Sequence, residues 1–397
     1  MQPTSTNKQP KSPKTLYMDT NFYIICAVSL IAVLGVASVS PAFPRLAHEL
    51  GVNPTNIGLL ITFYTFPSLV FGPIIGVLAD RLGRKKVIIP SLFLFGIAGT
   101  ACAFARDFNL LLLLRFLQGI GAASLLSLSI TLIGDLYTAD RRTTAMGYNA
   151  SITSIGTASY PLIGGTLATF GWYYPFMLPI IAIPIGLLVL FALKNPEPQG
   201  EYNLKEYLSN AKKVLKNRQI LGLYIASAAN FFLLYGAHVT YLPHLIKETF
   251  KAPPYTIGIL LSTVSVAIMI SASQLGRLTR TFKATTLIRA SFILYALALF
   301  TVPLIQNIWL LLIPTTIFGL GLGIGFPSIQ TLLTEISPKQ YLATILSVNG
   351  TFYGLGQTIG PLVMGVVFGF AGMSGVFYVG VAFAILTLIV FRYCTCL

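Results

Sequence analysis

Three stretches of this 397-residue chain hold side chains whose types and spacing could do chemistry. The first runs Asp80-Arg81-Leu82-Gly83-Arg84-Lys85-Lys86, a carboxylate beside a cluster of cations at a glycine turn, with Gly76 one helical turn earlier and Asp135 further along the chain. Charges in that order form ion pairs that latch and release; they do not make or break bonds. The second is Arg115, followed by Gln118, Gly119 and Ala122 at i+3, i+4 and i+7, so that all four share one helix face. An arginine inside so apolar a segment marks a functional site by default, here a coupling or substrate-contacting group. Its other reading is structural, with the guanidinium bound to backbone carbonyls or reaching to the end of the segment. The third stretch centres on His238, with Asn230, Tyr235 and Tyr241 around it. An imidazole whose ordinary pKa is about 6.5 suits proton exchange; a single histidine among helices also serves as a hydrogen-bonded packing group.

No nucleophile is paired with a base, and no metal-ligand cluster or phosphate-cradling loop stands at a suitable place. No catalytic residue, metal or cofactor is therefore expected, and enzymatic activity is the least favoured reading. Cys26, Cys102, Cys394 and Cys396 lack metal-ligand spacing and imply no disulfide framework.

The elements that must position these groups are membrane helices. Hydrophobic residues make up 55% of the chain and charged residues 9%, against about 25% charged in a soluble domain. A spanning helix needs roughly 20 mostly apolar residues. Twelve such runs begin near Phe22, Ile57, Val87, Asn109, Ala145, Tyr173, Gln219, Tyr255, Thr285, Ile308, Ala343 and Ser374. The fold class is an all-α membrane protein. The net charge of +15 follows the topology: with the N-terminus cytoplasmic, Arg45, Arg106, Lys247 and Lys251 are the basic residues that fall outside, and Arg115 stays within a span. That bias puts both termini in the cytoplasm of a multi-pass protein of the plasma (inner) membrane. It leaves anionic lipids, and not nucleic acid, as the partner of the excess charge. Residues 1–21 carry no cleavable signal, so the first span acts as its own insertion signal.

The chain also matches itself at an offset of about 200 residues: Pro54, Ile57 and Gly58 against Pro254, Ile257 and Gly258, and Asn149, Gly156, Pro161 and Gly165 against Asn349, Gly356, Pro361 and Gly365. This divides it into an N-terminal half over 1–193, a cytoplasmic linker over 194–218 with a short amphipathic helix around Leu204 to Leu215, and a C-terminal half over 219–397.

The loop from Gly76 to Lys86 resembles, in length, position and charge order, the signature loop of the major facilitator superfamily. The Arg115-x-x-Gln118-Gly119 stretch resembles that family's second motif. Gly156-x-x-x-Tyr160-Pro161-x-x-Gly164-Gly165 is similar to the motif of its drug/proton antiporter branch, with Tyr160 in place of a glycine; Gly356, Gly360, Pro361 and Gly365 repeat it, with Met364 before the last glycine. The resemblance implies two six-helix halves with a substrate site between them at mid-membrane. It implies that Asp80 meets the N-terminus of the eleventh span near Ala343, and that Asp135 partners Arg84 or Arg81, closing a cytoplasmic gate with Gly76 and Gly83. It also implies close contact of spans five and eight, or eleven and two, through the motif glycines. The cavity is expected on spans one, four, seven and ten, with Ser38, Ser40, Arg115, Gln118, Asn230, Tyr235, His238, Tyr241, Phe318 and Gln330 as its lining. The implied activity is monomeric export of a small amphipathic compound in exchange for protons. No carboxylate falls at mid-membrane, which leaves His238, Asp135 or Glu335 to carry the proton and makes neutral, zwitterionic or anionic substrates a better fit than strong cations. A lipid or glycolipid flippase and a transport-dead sensor or scaffold are the competing readings.

Overall fold

The computed structural model describes residues 19–137, 139–193, 217–337 and 342–395; the side chains of Asp80, Ala139, Asp140, Ala343 and Thr344 lie outside that description. So do the linker helix expected around Leu204 to Leu215 and the contact expected between Asp80 and the eleventh span.

The described chain is a succession of long apolar helices. Span 1 is Thr20–Ala37, continued through a 3-10 turn at Ser40–Ala42 into Phe43–Glu49. Spans 2 and 3 are Leu59–Leu82 and Arg84–Ala101; span 4 is Phe108–Ala122 with Leu125–Leu136. Span 5 is Ala139–Phe170, and span 6 is Tyr174–Ile181 with Ala182–Ala192. In the second half, span 7 runs through Arg218–Leu233, a π-helical segment Leu234–Tyr241, and Leu242–Phe250. Spans 8, 9 and 10 are Pro254–Thr281, Ala284–Thr301 and Leu312–Ile336. The final helix, Leu342–Thr395, bends back at Gly372, whose φ of 66° ends span 11 and starts span 12.

Span 5 is the most polar of the twelve spans, rich in serine and threonine. Span 5 hides its polarity locally: Ser151, Thr153, Ser154, Thr157, Thr166 and Thr169 each donate their hydroxyl proton to the carbonyl four residues back. Such back-bonding leaves no hydroxyl proton for lipid to desolvate.

Gly83 separates spans 2 and 3 with φ 99° and ψ 140°, a region that side chains resist. Gly83→Ala is expected to lower stability by about 1–3 kcal/mol, read as a fall in thermal unfolding temperature of the purified protein.

The buried apolar side chains form two cores, one from Phe22 to Leu193 and one from Ile220 to Phe391, each within its own half. The hydrogen bonds that join the halves among the described residues lie between mid-depth and the end bearing Pro54 and Pro254. Ser40 Oγ donates to Val239 O at 2.7 Å, Thr62 Oγ1 to Thr358 O at 3.0 Å, Thr358 Oγ1 to Thr65 Oγ1 at 3.0 Å, Tyr241 Oη to Pro54 O at 3.3 Å and Ser265 Oγ to Thr157 O at 3.2 Å. Toward the Gly83 end the halves part. A Cβ placed at Gly76, Gly134, Gly147 or Gly276 would meet nothing within 4 Å, and Ile74 and Leu78 of span 2 are exposed. The gate expected to close at Gly76 and Gly83 therefore stands open here, because the bundle is closed at the proline end and open at the other.

Candidate transport cavity and its gates

Between the halves, at mid-depth, lies a cavity of about 320 Å³. Span 1 reaches it where its helix gives way to the Ser40–Ala42 turn at Pro41, and span 7 reaches it through its π-helical segment. Segments of that kind are rare and cluster at functional sites, because the extra residue re-aims side chains. Here it presents Tyr235, His238 and Val239 to the cavity, and Thr240 Oγ1 donates to Tyr235 O at 2.6 Å within the widened turn. The His238 ring stacks on Phe318, centroids 4.8 Å apart and planes 6° from parallel.

The lining differs from the sequence expectation. Ser40, Tyr235 and His238 reach the cavity; Ser38, Arg115, Gln118, Asn230, Tyr241, Phe318 and Gln330 do not. Arg115 is fully buried behind Tyr64, whose ring centre stands 4.4 Å from the guanidinium carbon. Its Nε donates to Leu60 O at 3.2 Å, and its Nη1 donates to Gly35 O at 3.0 Å and to Gln118 Oε1 at 2.8 Å. The guanidinium thus ties spans 1, 2 and 4 together inside one half. Tyr241 donates to Pro54 O above the cavity and stacks on Phe368, Phe318 sits behind His238, Gln330 accepts from Asn349, and Asn230 is buried in the second core region. Spans 1, 4 and 7 line the cavity as expected, the first two mainly through Ala32, Val33, Val36, Ala37, Ala122, Ala123 and Leu126; span 10 does not, and spans 2, 5, 8 and 11 join instead with Tyr64, Thr65, Ser68, Thr157, Ser265, Tyr353 and Gln357. A sequence signal for them existed: these are the helices carrying, or facing, the glycine-proline motifs, whose close contacts bring them to the interface of the halves.

Those contacts form the closed end. A Cβ at Gly58 would stand 2.8 Å from Pro361 O, one at Gly165 2.5 Å from Pro254 O, and one at Gly365 2.5 Å from Thr55 O; one at Gly258 would collide with Pro161 O. Spans 5 and 8, and 11 and 2, therefore meet backbone to backbone. The remaining motif glycines face their own half: Gly156 lies against Leu30, Gly164 against Ser38 O, Gly356 against Ala228 O and Gly360 against Phe232 O. Beyond this seal lies a wider cavity of about 720 Å³ lined by Arg45, His48, Glu49, His244, Lys247, Glu248 and Lys251. Its Arg45–Glu49 ion pair, at 2.6 Å, and its His244–Glu248 contact, at 3.4 Å, each stay within a single helix. It is larger than the central cavity but separated from it by the seal.

At the open end, Arg84 Nε lies 3.2 Å from Asp135 Oδ2, and Arg84 Nη1 donates to Ala79 O at 3.1 Å. Arg81 is exposed. Lys85 Nζ donates to Leu193 O at 2.9 Å and Arg142 Nη2 to Gly134 O at 2.7 Å, so basic side chains satisfy the last carbonyls of spans 6 and 4. Tyr137 Oη donates to Asp19 Oδ2 at 2.7 Å; burial, then this bond, push the Tyr137 pKa above its ordinary value and keep it a neutral donor.

A description of the Major Facilitator Superfamily matches residues 25–252 and 242–395 of the chain. The bacillibactin exporter of Bacillus subtilis (strain 168) is 26% identical over 86% of this chain and 88% of its own length. Quinolone resistance protein NorA of Staphylococcus aureus (strain MRSA252) is 24% identical over 88% of this chain and 90% of its own. Among solved structures, a bacterial homolog of the human lysosomal transporter Spinster, inward-facing and occupied, superposes with a TM-score of 0.82 at 15% identity, covering 98% of both chains. With its all-helical spans, paired halves and central cavity, the chain belongs to the Major Facilitator Superfamily and is a membrane transporter, not an enzyme.

Proposed function

We propose that the protein exports small amphipathic compounds across the plasma (inner) membrane by alternating access, in exchange for protons. The observation that carries this is the uncharged cavity at mid-depth, sealed on the Pro54 and Pro254 side by neutral hydrogen bonds and glycine contacts that can part as a unit. The exporters among the relatives support the same reading. By the distribution of basic residues the open end faces the cytoplasm, with both termini there and the cationic rim against anionic lipids. The molecule works as a monomer, since each half supplies part of one cavity. Flux of candidate compounds in proteoliposomes under an imposed pH gradient tests export. Movement that ignores the gradient favours a lipid flippase, and none at all a sensor or scaffold.

His238 carries the proton in this reading, being the one imidazole or carboxylate among the described residues that line the cavity. Asp135 is already paired with Arg84, and Glu335 stands exposed at the open end of span 10. His238→Gln keeps a hydrogen-bonding side chain and removes titration. It is expected to abolish accumulation driven by the pH gradient while downhill flux continues; undiminished uphill transport would remove His238 as carrier.

A further inference from the structure

The hydroxyls that line the central cavity share one orientation. Ser40 donates to Val239 O, Thr65 to Ile61 O, Ser68 to Gly119 O, Thr157 to Thr153 O and Ser265 to Thr157 O, at 2.7, 3.1, 3.4, 2.9 and 3.2 Å. A hydroxyl has one proton and two lone pairs. With the proton spent on backbone, each of these groups has only acceptor capacity left for a ligand. The other polar heads on the wall are the phenols of Tyr64, Tyr235 and Tyr353, the Gln357 amide and the His238 imidazole; among the described residues no carboxylate, ammonium or guanidinium lines the cavity. The fixed charge of Arg115 sits behind Tyr64.

From this wall we infer that the cavity selects uncharged, planar aromatic molecules bearing hydroxyl or N–H donors, and rejects permanent cations. The inference deepens the exporter reading and rests on its assignment of this cavity as the substrate site. Aromatic stacking and donor-to-acceptor hydrogen bonds supply the attraction. An ion entering would lose its hydration with no countercharge to meet it. Three tyrosines can instead form a cage for quaternary ammonium, but that needs all three rings free of other cations, and one of them already faces a guanidinium. Tyr64 already has the Arg115 charge against its ring, Tyr353 packs on Phe231 at 5.0 Å and on Phe326 at 6.0 Å, and Tyr235 packs on Phe231 at 6.3 Å. A second cation at Tyr64 would face the first across one ring. The volume of about 320 Å³ admits a two- or three-ring ligand.

The test is equilibrium binding to the purified full chain in lipid nanodiscs, by calorimetry. The probes are naphthalene-2,3-diol, unsubstituted naphthalene and trimethyl(naphthalen-2-yl)ammonium. The diol is expected to bind at least tenfold more tightly than either of the others. Tyr353→Phe and Gln357→Leu, which keep shape and remove polar heads, are expected to weaken the diol several-fold and leave naphthalene unchanged. Thermal unfolding of each variant shows that it is folded. Equal or tighter binding of the ammonium, absence of diol binding, or a diol affinity indifferent to both substitutions overturns the inference. Diol binding as expected without flux in proteoliposomes leaves the selectivity standing and removes the exporter reading instead.

Discussion

Gly258→Val is expected to hold the transporter open at the Pro54 and Pro254 end and to reduce flux at least tenfold. The side chain would be built into Pro161 O and the backbone of Leu162, which cannot yield as a flexible side chain would. Overpacking of this kind disfavours the packed state by about 1–3 kcal/mol. In a two-state equilibrium such a difference shifts populations roughly 5- to 150-fold. Spin labels at Glu49 and Glu248, on the span 1 and span 7 extensions that flank the wider cavity, should report a longer distance in the variant than in the parent. Gly58→Val, at the matching position of the other half, should do the same against Pro361 O. Unchanged label distances with normal flux would show that the two backbone contacts do not form the gate.

Arg115→Ala should unfold the N-terminal half well before it changes the chemistry of transport. Removing the guanidinium takes a donor from Gly35 O and Gln118 Oε1 in a fully buried site, and the second donor from Leu60 O, which keeps its helical one; a buried acceptor left without a donor costs about 1–3 kcal/mol. Arg115→Lys should fall between, since an ammonium retains the charge but not the planar fork that reaches two spans and a side chain at once. Thermal unfolding and flux measured on the same preparations separate the outcomes. Lowered stability with activity retained per folded molecule is expected; full stability with lost proton coupling would make Arg115 the coupling residue that its place in the sequence first suggested.

The Arg115 case marks where legibility in the sequence ended. Its isolation in an apolar segment was plain from spacing, and so was the face it shares with Gln118. Which way that face turns is decided by tertiary packing, here by Tyr64 lying against Gly35. The same limit explains the cavity wall. Spans carrying polar groups could be named, but a tilt of the two halves toward each other at Gly165, Gly258, Gly58 and Gly365 brings spans 2, 5, 8 and 11 to the centre and leaves span 10 outside. Elements fixed by local chemistry were far more legible. The turn at Gly83 follows from glycine between two charged helix ends and the twelve apolar runs from bilayer thickness, whereas for Asp135 the family resemblance left Arg84 and Arg81 both open, and the structure pairs it with Arg84. The start of span 12 near Ser374 was legible as well, and the structure shows that a single residue, Gly372, performs the whole reversal.

The self-satisfied hydroxyls of span 5 bear on how the chain enters the membrane as it is made. A segment this polar is a weak candidate for partitioning into lipid alone as it leaves the ribosome, even with each hydroxyl folded back on its own helix. Span 1, whose Leu30 and Ser38 meet Gly156 and Gly164, is already synthesised and offers a protein surface in place of lipid. Biogenesis of the first half would then depend on span 1 waiting beside the insertion channel to receive span 5, so that a defect at Gly164 would surface first as misassembly of the nascent chain.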